Sequence, residues 1–450
     1  MHIERLREDD KKYIWHPFTQ MKLWCEEEEP IIITEGSGPF LKDITGKWYL
    51  DGVSSLWCNV HGHRRREIDE AIKRQIDKIS HSTLLGLTHP PAIELAKKLV
   101  DIAPEGLKKV FYSDDGSTSV EVAIKMAYQY FQLKGEKQRM RFVSLKNAYH
   151  GDTLGAVSVG GIDLFHNIFS PLLFNTLKTP SPYCYRCELG AEPDSCHLLC
   201  LKEAEKIVDK HHKEIAAFII EPMVQGAGGM ITYPRGFLKG IENICRDYGI
   251  LLIADEVATG FGRTGRMFAC EHEDVRPDLL CLSKGITGGY LPLGATLTTE
   301  EIYNAFLGEY EELKTFFHGH TYTGNQLSSA AAIANLDIFE KEDIINVLQD
   351  KIIFLGDCLK EMLVDMPHVG QVRQCGFMVG IELVEDKYTK SAYPLSERMG
   401  QKVCYKAREE GLIIRPLGDV VVLMPPLCCK EEELKIIVEI TDFSIRDVTS

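Results

Sequence analysis

Between residues 109 and 289 short apolar runs alternate with longer amphipathic stretches. The runs at 109–113, 141–145, 215–220, 250–254 and 279–282 are too short for core helices and carry no polar alternation, so they are expected to be strands covered on both faces. The stretches between them have the helical period. EIDEAIKRQIDKI places Ile68, Ile72, Ile76 and Ile79 on one face, a stripe expected to be core. SVEVAIKMAYQYF continues in the same way, and 237–248 forms a helix closed by Gly249. Alternation of strand and helix predicts an α/β fold with a mostly parallel central sheet wrapped by helices. After Leu327 the chain reads as helical to about Leu363, followed by strands near 376–382 and 420–423 and a helix from Lys430, a smaller α+β unit. Residues 1 to about 60, with several aromatics and turns at Gly36, Gly38 and Gly46, are expected to form an extended arm with short strands. The predicted division is therefore an arm over 1–65 packing with the small domain, a large domain over 66–330 and a small C-terminal domain over 331–450.

Two of the apolar runs end in a charge. ILLIA is followed by Asp255, and LLCL by Ser283-Lys284-Gly285. Parallel strands finishing in these residues direct both side chains into the crevice at the carboxyl edge of the sheet, where open α/β folds bind ligands. A lysine for a Schiff base and an acid beside a pyridine nitrogen are the pair that pyridoxal phosphate chemistry requires. An apolar strand ending in Asp-Glu also suits a Walker B element, but that needs a GxxxxGK[ST] phosphate loop, which the chain lacks. Upstream, Thr118 with Glu121 has capping-box spacing, which puts Gly116 to Thr118 at a helix start. Free N–H groups and hydroxyls there suit a phosphate.

Length and composition narrow the setting. A chain of 450 residues exceeds one typical core, and 44% hydrophobic with 26% charged residues is ordinary for a globular protein. The net charge, 51 minus 66 or −15, argues against nucleic acid or an anionic membrane as the main partner. The opening MHIERLREDDKKYIW lacks a signal-peptide core, and no run of 18 apolar residues occurs, so a cytoplasmic protein is expected. Most of the 14 cysteines are isolated in apolar stretches. Cys184, Cys187, Cys196 and Cys200 have C-x2-C and C-x3-C spacing, but eight residues between the pairs is short for a zinc module. A cysteine-rich surface loop without metal is the reading adopted.

DEVATGFGRTG, with a lysine 29 residues after its aspartate, resembles the class III, pyridoxal-phosphate-dependent aminotransferases of fold type I, the aspartate aminotransferase-like fold. The resemblance runs over nearly the whole chain. WHPFTQM, DGVSSLW, YSDDGSTSVEVAIKMAYQY, YHGDTLGAVSVGG, EPMVQGAGGM and IRPLGDVVVLMPPL are similar to the biotin-pathway branch, which aminates 8-amino-7-oxononanoate to 7,8-diaminononanoate. The resemblance implies that Lys284 is the Schiff-base lysine and proton carrier, and that Asp255 partners the pyridine nitrogen. It implies that Gly116 and Ser117 hold the phosphate, that Tyr149 stacks on the cofactor ring and approaches substrate, and that Arg415 takes the substrate carboxylate. Gly319, His320 and Thr321 match a loop that reaches the neighbouring cofactor's phosphate across a homodimer with shared active sites. Phe18, Leu56 and Trp57 match the substrate-binding wall.

At three of these positions the chain departs from the pattern of the members that use S-adenosylmethionine as amino donor, His320 standing where their phosphate loop has proline. Phe18 stands where they have tyrosine, and Leu56 where they have the first of two tryptophans. Part of the branch uses L-lysine, so either donor is compatible with the sequence. Another ω-aminotransferase of the class, acting on ornithine, 4-aminobutyrate or another ω-amine, is an alternative. A non-catalytic pyridoxal-phosphate-binding protein is a remoter one, disfavoured by the joint presence of Lys284, Asp255, Tyr149 and Arg415.

Overall fold

The computed structural model describes residues 2–192 and 195–450. Its centre is a seven-stranded sheet of β1 (Leu107–Ser113), β2 (Arg141–Leu145), β3 (Leu177–Thr179), β4 (Ile215–Ile220), β5 (Leu251–Asp255), β6 (Leu279–Leu282) and β7 (Gly294–Thr299). The spatial order is β1-β7-β6-β5-β4-β2-β3. Strands β6, β5, β4, β2 and β3 pair in parallel, whereas β7 runs antiparallel to both neighbours. Every residue of β4, β5 and β6 is buried. Helices on both faces leave no polar side to these strands, and that is why their sequences are unbroken apolar runs.

A second, antiparallel sheet is built from Val369–Cys375, Met378–Leu383, Val420–Leu423 and Arg415–Leu417. A third joins the ends of the chain, because Leu412–Ile413 adds in parallel to Trp48–Asp51, beside Phe40–Asp43 and Ile33–Ser37.

Four details differ from the sequence pattern. The arm begins with helices His2–Tyr13 and Met21–Glu26. The first has Glu4 in its opening turn and Lys11 and Lys12 in its last, a charge order that suits the helix dipole but offers no apolar stripe to read. Of the isoleucine stripe, Ile68 is core while Ile76 and Ile79 are exposed. The helix stops at Ile76, and Ile68, with Ala71 and Ile72 beside it, packs with Ala331, Ala334 and Ile338. The cap at Gly116–Leu133 is Asp115, whose carboxylate accepts the Thr118 N–H at 2.8 Å. Glu121 instead accepts the Gly155 and Ala156 N–H groups at 2.7 and 3.2 Å. The long C-terminal helix is two, Gln326–Lys341 and Ile344–Met362, broken where Asp343 adopts a left-handed φ of 49°.

The loop that follows β3 is tied to the second sheet by a buried charge network. Glu382 accepts from Tyr183 and Arg186 of the loop and from Arg373 of its own sheet. Arg373 also donates to the carbonyls of Gly229 and Met230, at 2.7 and 3.2 Å. Burial acts to raise the Glu382 pKa, but the Arg373 guanidinium and the hydrogen bonds outweigh it and the net shift is downward. A depressed carboxylate pKa adds stability that is present at neutral pH and disappears as pH falls through the folded-state value. Glu382→Ala leaves Arg373 buried without its partner, and a loss of about 3–5 kcal/mol is expected in denaturant unfolding at pH 7. A loss under about 1 kcal/mol, the range of an exposed pair, would show that solvent reaches the network.

Candidate active site

The parallel pairing of β5 with β6, in which Asp255 lies opposite Cys281, brings Asp255 and Lys284 to one cavity of about 480 Å³ at the carboxyl edge of the sheet. Its lining includes Gly116, Ser117, Tyr149, Asp255, Lys284 and Arg415, with Phe18, Leu56 and Trp57 on the outer wall. Nine residues predicted from widely separated segments therefore converge on one site.

Lys284 follows the end of β6 with a left-handed φ of 46°, a conformation that a non-glycine residue keeps only where its surroundings impose it. Its pKa is lowered, first by burial, against the pull of the Asp255 and Glu221 carboxylates. The amine nitrogen lies 4.8 Å from the Trp57 ring centroid. A lysine so placed has a larger neutral, nucleophilic fraction than an exposed one.

Asp255 is buried, and its Oδ2 lies 2.7 Å from Nδ1 of His150 while Oδ1 accepts the Val257 N–H at 3.1 Å. Nε2 of His150 is itself buried without a partner. On the strand beside β5, Glu221 terminates β4 and accepts the N–H groups of Tyr149 and Gly226 at 3.0 and 2.9 Å. Burial, reinforced by the Asp255 charge, pushes its pKa up to about 8. The Tyr149 hydroxyl donates to Asp152 at 2.7 Å, and burial followed by that carboxylate raises its pKa.

Opposite these groups stands the first turn of the eighteen-residue helix Gly116–Leu133. Gly116 and Ser117 occupy its first two positions, where N–H groups lack intrahelical acceptors and the dipole favours an anion. The Ser117 hydroxyl accepts the Asp152 N–H at 3.1 Å. Gly151 makes that approach possible: its φ is 121°, and a Cβ there would sit 2.3 Å from Ser117 Oγ.

Arg415 enters from the second sheet. Burial lowers its pKa, and its charged or titratable neighbours are Cys404, Arg408 and Tyr149, with no carboxylate among them. A partly desolvated guanidinium on the cavity wall, away from the carboxylates of Asp255 and Glu221, is suited to a ligand carboxylate. Phe165 bridges the outer wall, 5.5 Å from the Phe18 ring and 6.4 Å edge-on from that of Tyr149.

Gly319, His320 and Thr321 are absent from the cavity lining. Within one chain His320 Nδ1 is 2.8 Å from Asp114, just before the cap of the helix that carries Ser117. Among the described residues, no group of three or more His, Cys, Asp or Glu side chains is placed to hold a metal ion, and Cys184, Cys187, Cys196 and Cys200 are free thiols.

Sequence reasoning missed His150, Glu221 and Phe165. Glu221 had a signal, since it ends an apolar strand as Asp255 does. His150 had only its place next to Tyr149, and Phe165 had none, because its role depends on ring contacts made across the fold.

The residues present fit pyridoxal phosphate. The site combines a desolvated amine for the aldehyde, a carboxylate held by a histidine for the ring nitrogen, a helix start with glycine and serine for the phosphate, and an aromatic face. Residues 25–443 match the family model for aminotransferase class-III. The adenosylmethionine-8-amino-7-oxononanoate aminotransferase of Geobacter sulfurreducens is 56% identical, over 99% of this chain and 98% of that protein. The protein of that name from Staphylococcus aureus is 47% identical over 99% and 98%. The crystal structure of the Methanocaldococcus jannaschii protein of the same name superposes with a TM-score of 0.94 at 51% identity, covering 99% of each chain. An ω-transaminase from Pseudomonas jessenii in complex with PMP gives 0.94 at 33% identity, over 99% of this chain and 98% of that one. With family match, fold and site in agreement, the chain belongs to the class III aminotransferases, fold type I enzymes that depend on pyridoxal phosphate.

Proposed function

We propose that this enzyme transfers an amino group from S-adenosylmethionine to 8-amino-7-oxononanoate, giving the 7,8-diaminononanoate of biotin biosynthesis. The observation that carries the reading is Arg415, a guanidinium without an acid partner on the wall of the cavity that holds Lys284 and Asp255. It suits an acceptor with a terminal carboxylate remote from the reacting ketone. The names of relatives up to 56% identical over nearly the full chain support the same acceptor and the adenosyl donor. For that donor the outer wall supplies the rings of Phe18, Phe165 and Trp57, surfaces on which an adenine can stack.

When bound, pyridoxal phosphate supplies an electron-withdrawing ring that accommodates the electron pair left when a proton departs from the amine-bearing carbon. The protein does the rest. Asp255, oriented by His150, would partner the ring nitrogen, Gly116 and Ser117 would hold the phosphate, and Tyr149 would supply the stacking face. Lys284 would hold the cofactor through its amine and, with that amine free, would move the substrate proton as general base and acid. Burial lowers its pKa and so enlarges the neutral fraction that can accept that proton. Arg415 grips the acceptor's carboxylate through two parallel N–H donors and fixes where the ketone lies. Donor and acceptor use one cavity in turn, so ping-pong kinetics follow.

Gly319 to Thr321 lie outside the cavity of their own chain, which supports a homodimer in which this loop completes the partner's phosphate site. The arm, large and small units divide near residues 65 and 330, and fourteen free cysteines accord with a reducing cytoplasm.

Holoenzyme given 8-amino-7-oxononanoate is expected to form the diamine with S-adenosylmethionine and not with L-lysine. Product from lysine alone overturns the donor, and product from neither overturns the acceptor; in both assays Lys284→Ala is expected to be silent. For Arg415→Ala the expected change is a 10–100-fold rise in KM for 8-amino-7-oxononanoate, the range of about 1.5–3 kcal/mol for a charged hydrogen bond, with the donor KM little altered. An unchanged acceptor KM removes Arg415 from carboxylate binding. Light scattering is expected to give the mass of two chains, and a single-chain mass with full activity rules out the shared site.

A further inference from the structure

We propose that Asp51 is a positioning residue: it fixes the turn that carries Leu56 and Trp57 into the cavity and so sets the apparent affinity for the amino substrates. The proposal rests on the cavity being the transaminase site described above.

The turn is strained as few others in the chain are. Ser54, Ser55 and Trp57 have φ of 50°, 60° and 65°, three non-glycine residues at positive φ within four positions. Ser55 lies outside the allowed wells, since its φ of 60° is combined with a ψ of −44°. Such a conformation lasts only where other groups over-determine it.

Several groups do so, and one acts on Ser55 itself. The Asp51 carboxylate, with no exposed surface, accepts both the Ser55 N–H and the Ser55 hydroxyl at 2.8 Å. Its Oδ2 also lies 3.1 Å from Nε2 of His63, a contact that orients the acid. The Ser54 hydroxyl donates to the Met424 carbonyl at 2.6 Å. The N–H groups of Cys58 and Asn59 close back on the Ser54 carbonyl at 3.1 and 3.2 Å. Arg263 bridges the carbonyls of Asn59 and Pro425 at 2.6 and 2.9 Å. These last contacts hold the ends of the turn. Asp51 holds its middle.

What the turn delivers is the wall. Trp57 is 6% exposed and lies against the Lys284 amine, and Leu56, 49% exposed, stands at the mouth. Asp51 is not part of the cavity lining, so any effect it has on substrate passes through these two residues. Without the carboxylate, Ser55 has no reason to stay at this φ and ψ, and its relaxation moves Trp57 away from the lysine.

A double-mutant cycle in the holoenzyme tests the idea. Asp51→Ala is expected to raise the KM for the amino donor about tenfold with a smaller change in kcat, and to have almost no further effect in a Trp57→Phe background, because residues acting through one another are not additive. Asp51→Asn, which keeps an acceptor for the Ser55 N–H, is expected to restore most of the wild-type KM. Additive effects of Asp51→Ala and Trp57→Phe, or an unchanged KM in Asp51→Ala, overturn the proposal. If Asp51→Ala does not fold, Ser55→Ala, which removes only the hydroxyl contact, replaces it in the cycle with the same two outcomes. A second readout needs no turnover: quenching of Trp57 fluorescence as pyridoxal phosphate is titrated in, with Trp57→Phe as the blank. It is expected to weaken in Asp51→Ala, and quenching equal to wild type overturns the role of Asp51. A wild-type enzyme that shows this quenching but makes no diamine overturns the substrate assignment and leaves the positioning role standing.

Discussion

The site depends on the side-by-side arrangement of three fully buried strands, β4, β5 and β6, whose carboxyl ends carry Glu221, Asp255 and, just beyond the last, Lys284. Each strand is apolar along its length because helices cover both faces, so a charged residue is accommodated only where the strand leaves the sheet. Parallel pairing puts those exits on one edge. Burial then penalises both signs of charge, raising the pKa of Glu221 and lowering that of Lys284, while opposite charges at the same edge oppose part of that penalty. The chemistry of the site is thus a consequence of how the sheet is covered.

The rest of the cavity comes from parts of the chain far from that edge. The helix start at Gly116, the Tyr149 loop, the turn at Leu56 and Trp57, and Arg415 near the other terminus are brought together by long-range pairing. Addition of Leu412–Ile413 to Trp48–Asp51 links the segment just before Arg415 to the one just before the Trp57 turn. One short parallel pair therefore registers two walls of the cavity against each other. Glu382 and Arg373 give the second sheet, which bears Arg415, a further hold on the large sheet's loops through Tyr183 and Arg186.

Much of this was legible in the sequence, and for identifiable reasons. Strands β2, β4 and β6 run over the predicted residues, the last two because a strand covered on both faces writes an unbroken apolar run. The helix Phe237–Tyr248 ends where Gly249 takes a φ of 61°, a stop that glycine signals. The arm's first helix was not legible, since its sequence places charge for the dipole and leaves no stripe. Nor was Asp115 as the cap, because two acids precede Gly116 and spacing alone does not choose between caps three residues apart. In the site, Asp255 and Lys284 could be reasoned from strand ends, but Tyr149 and Arg415 needed family resemblance. His150 and Phe165 needed coordinates, since a hydrogen bond between residues 105 apart or a ring contact between segments leaves no local pattern.

Backbone strain is absent from the central strands and present at the rim of the cavity. Positive φ at non-glycine residues costs on the order of 1–3 kcal/mol each, and Phe18, Ser54, Ser55, Trp57 and Lys284 all carry it on or beside the cavity wall. No residue of β4, β5 or β6 does. A sheet without strain is what allows strained turns at its rim, because the packing of a dry, fully paired core far outweighs a few unfavourable dihedrals. The same logic explains why the turns are held by buried polar groups such as Asp51 and Arg263. An apolar contact slides at little cost, whereas a carboxylate that accepts two hydrogen bonds at 2.8 Å from one serine fixes both distance and direction. Placing a ring beside a reactive amine requires that kind of constraint, and a hydrophobic core cannot supply it.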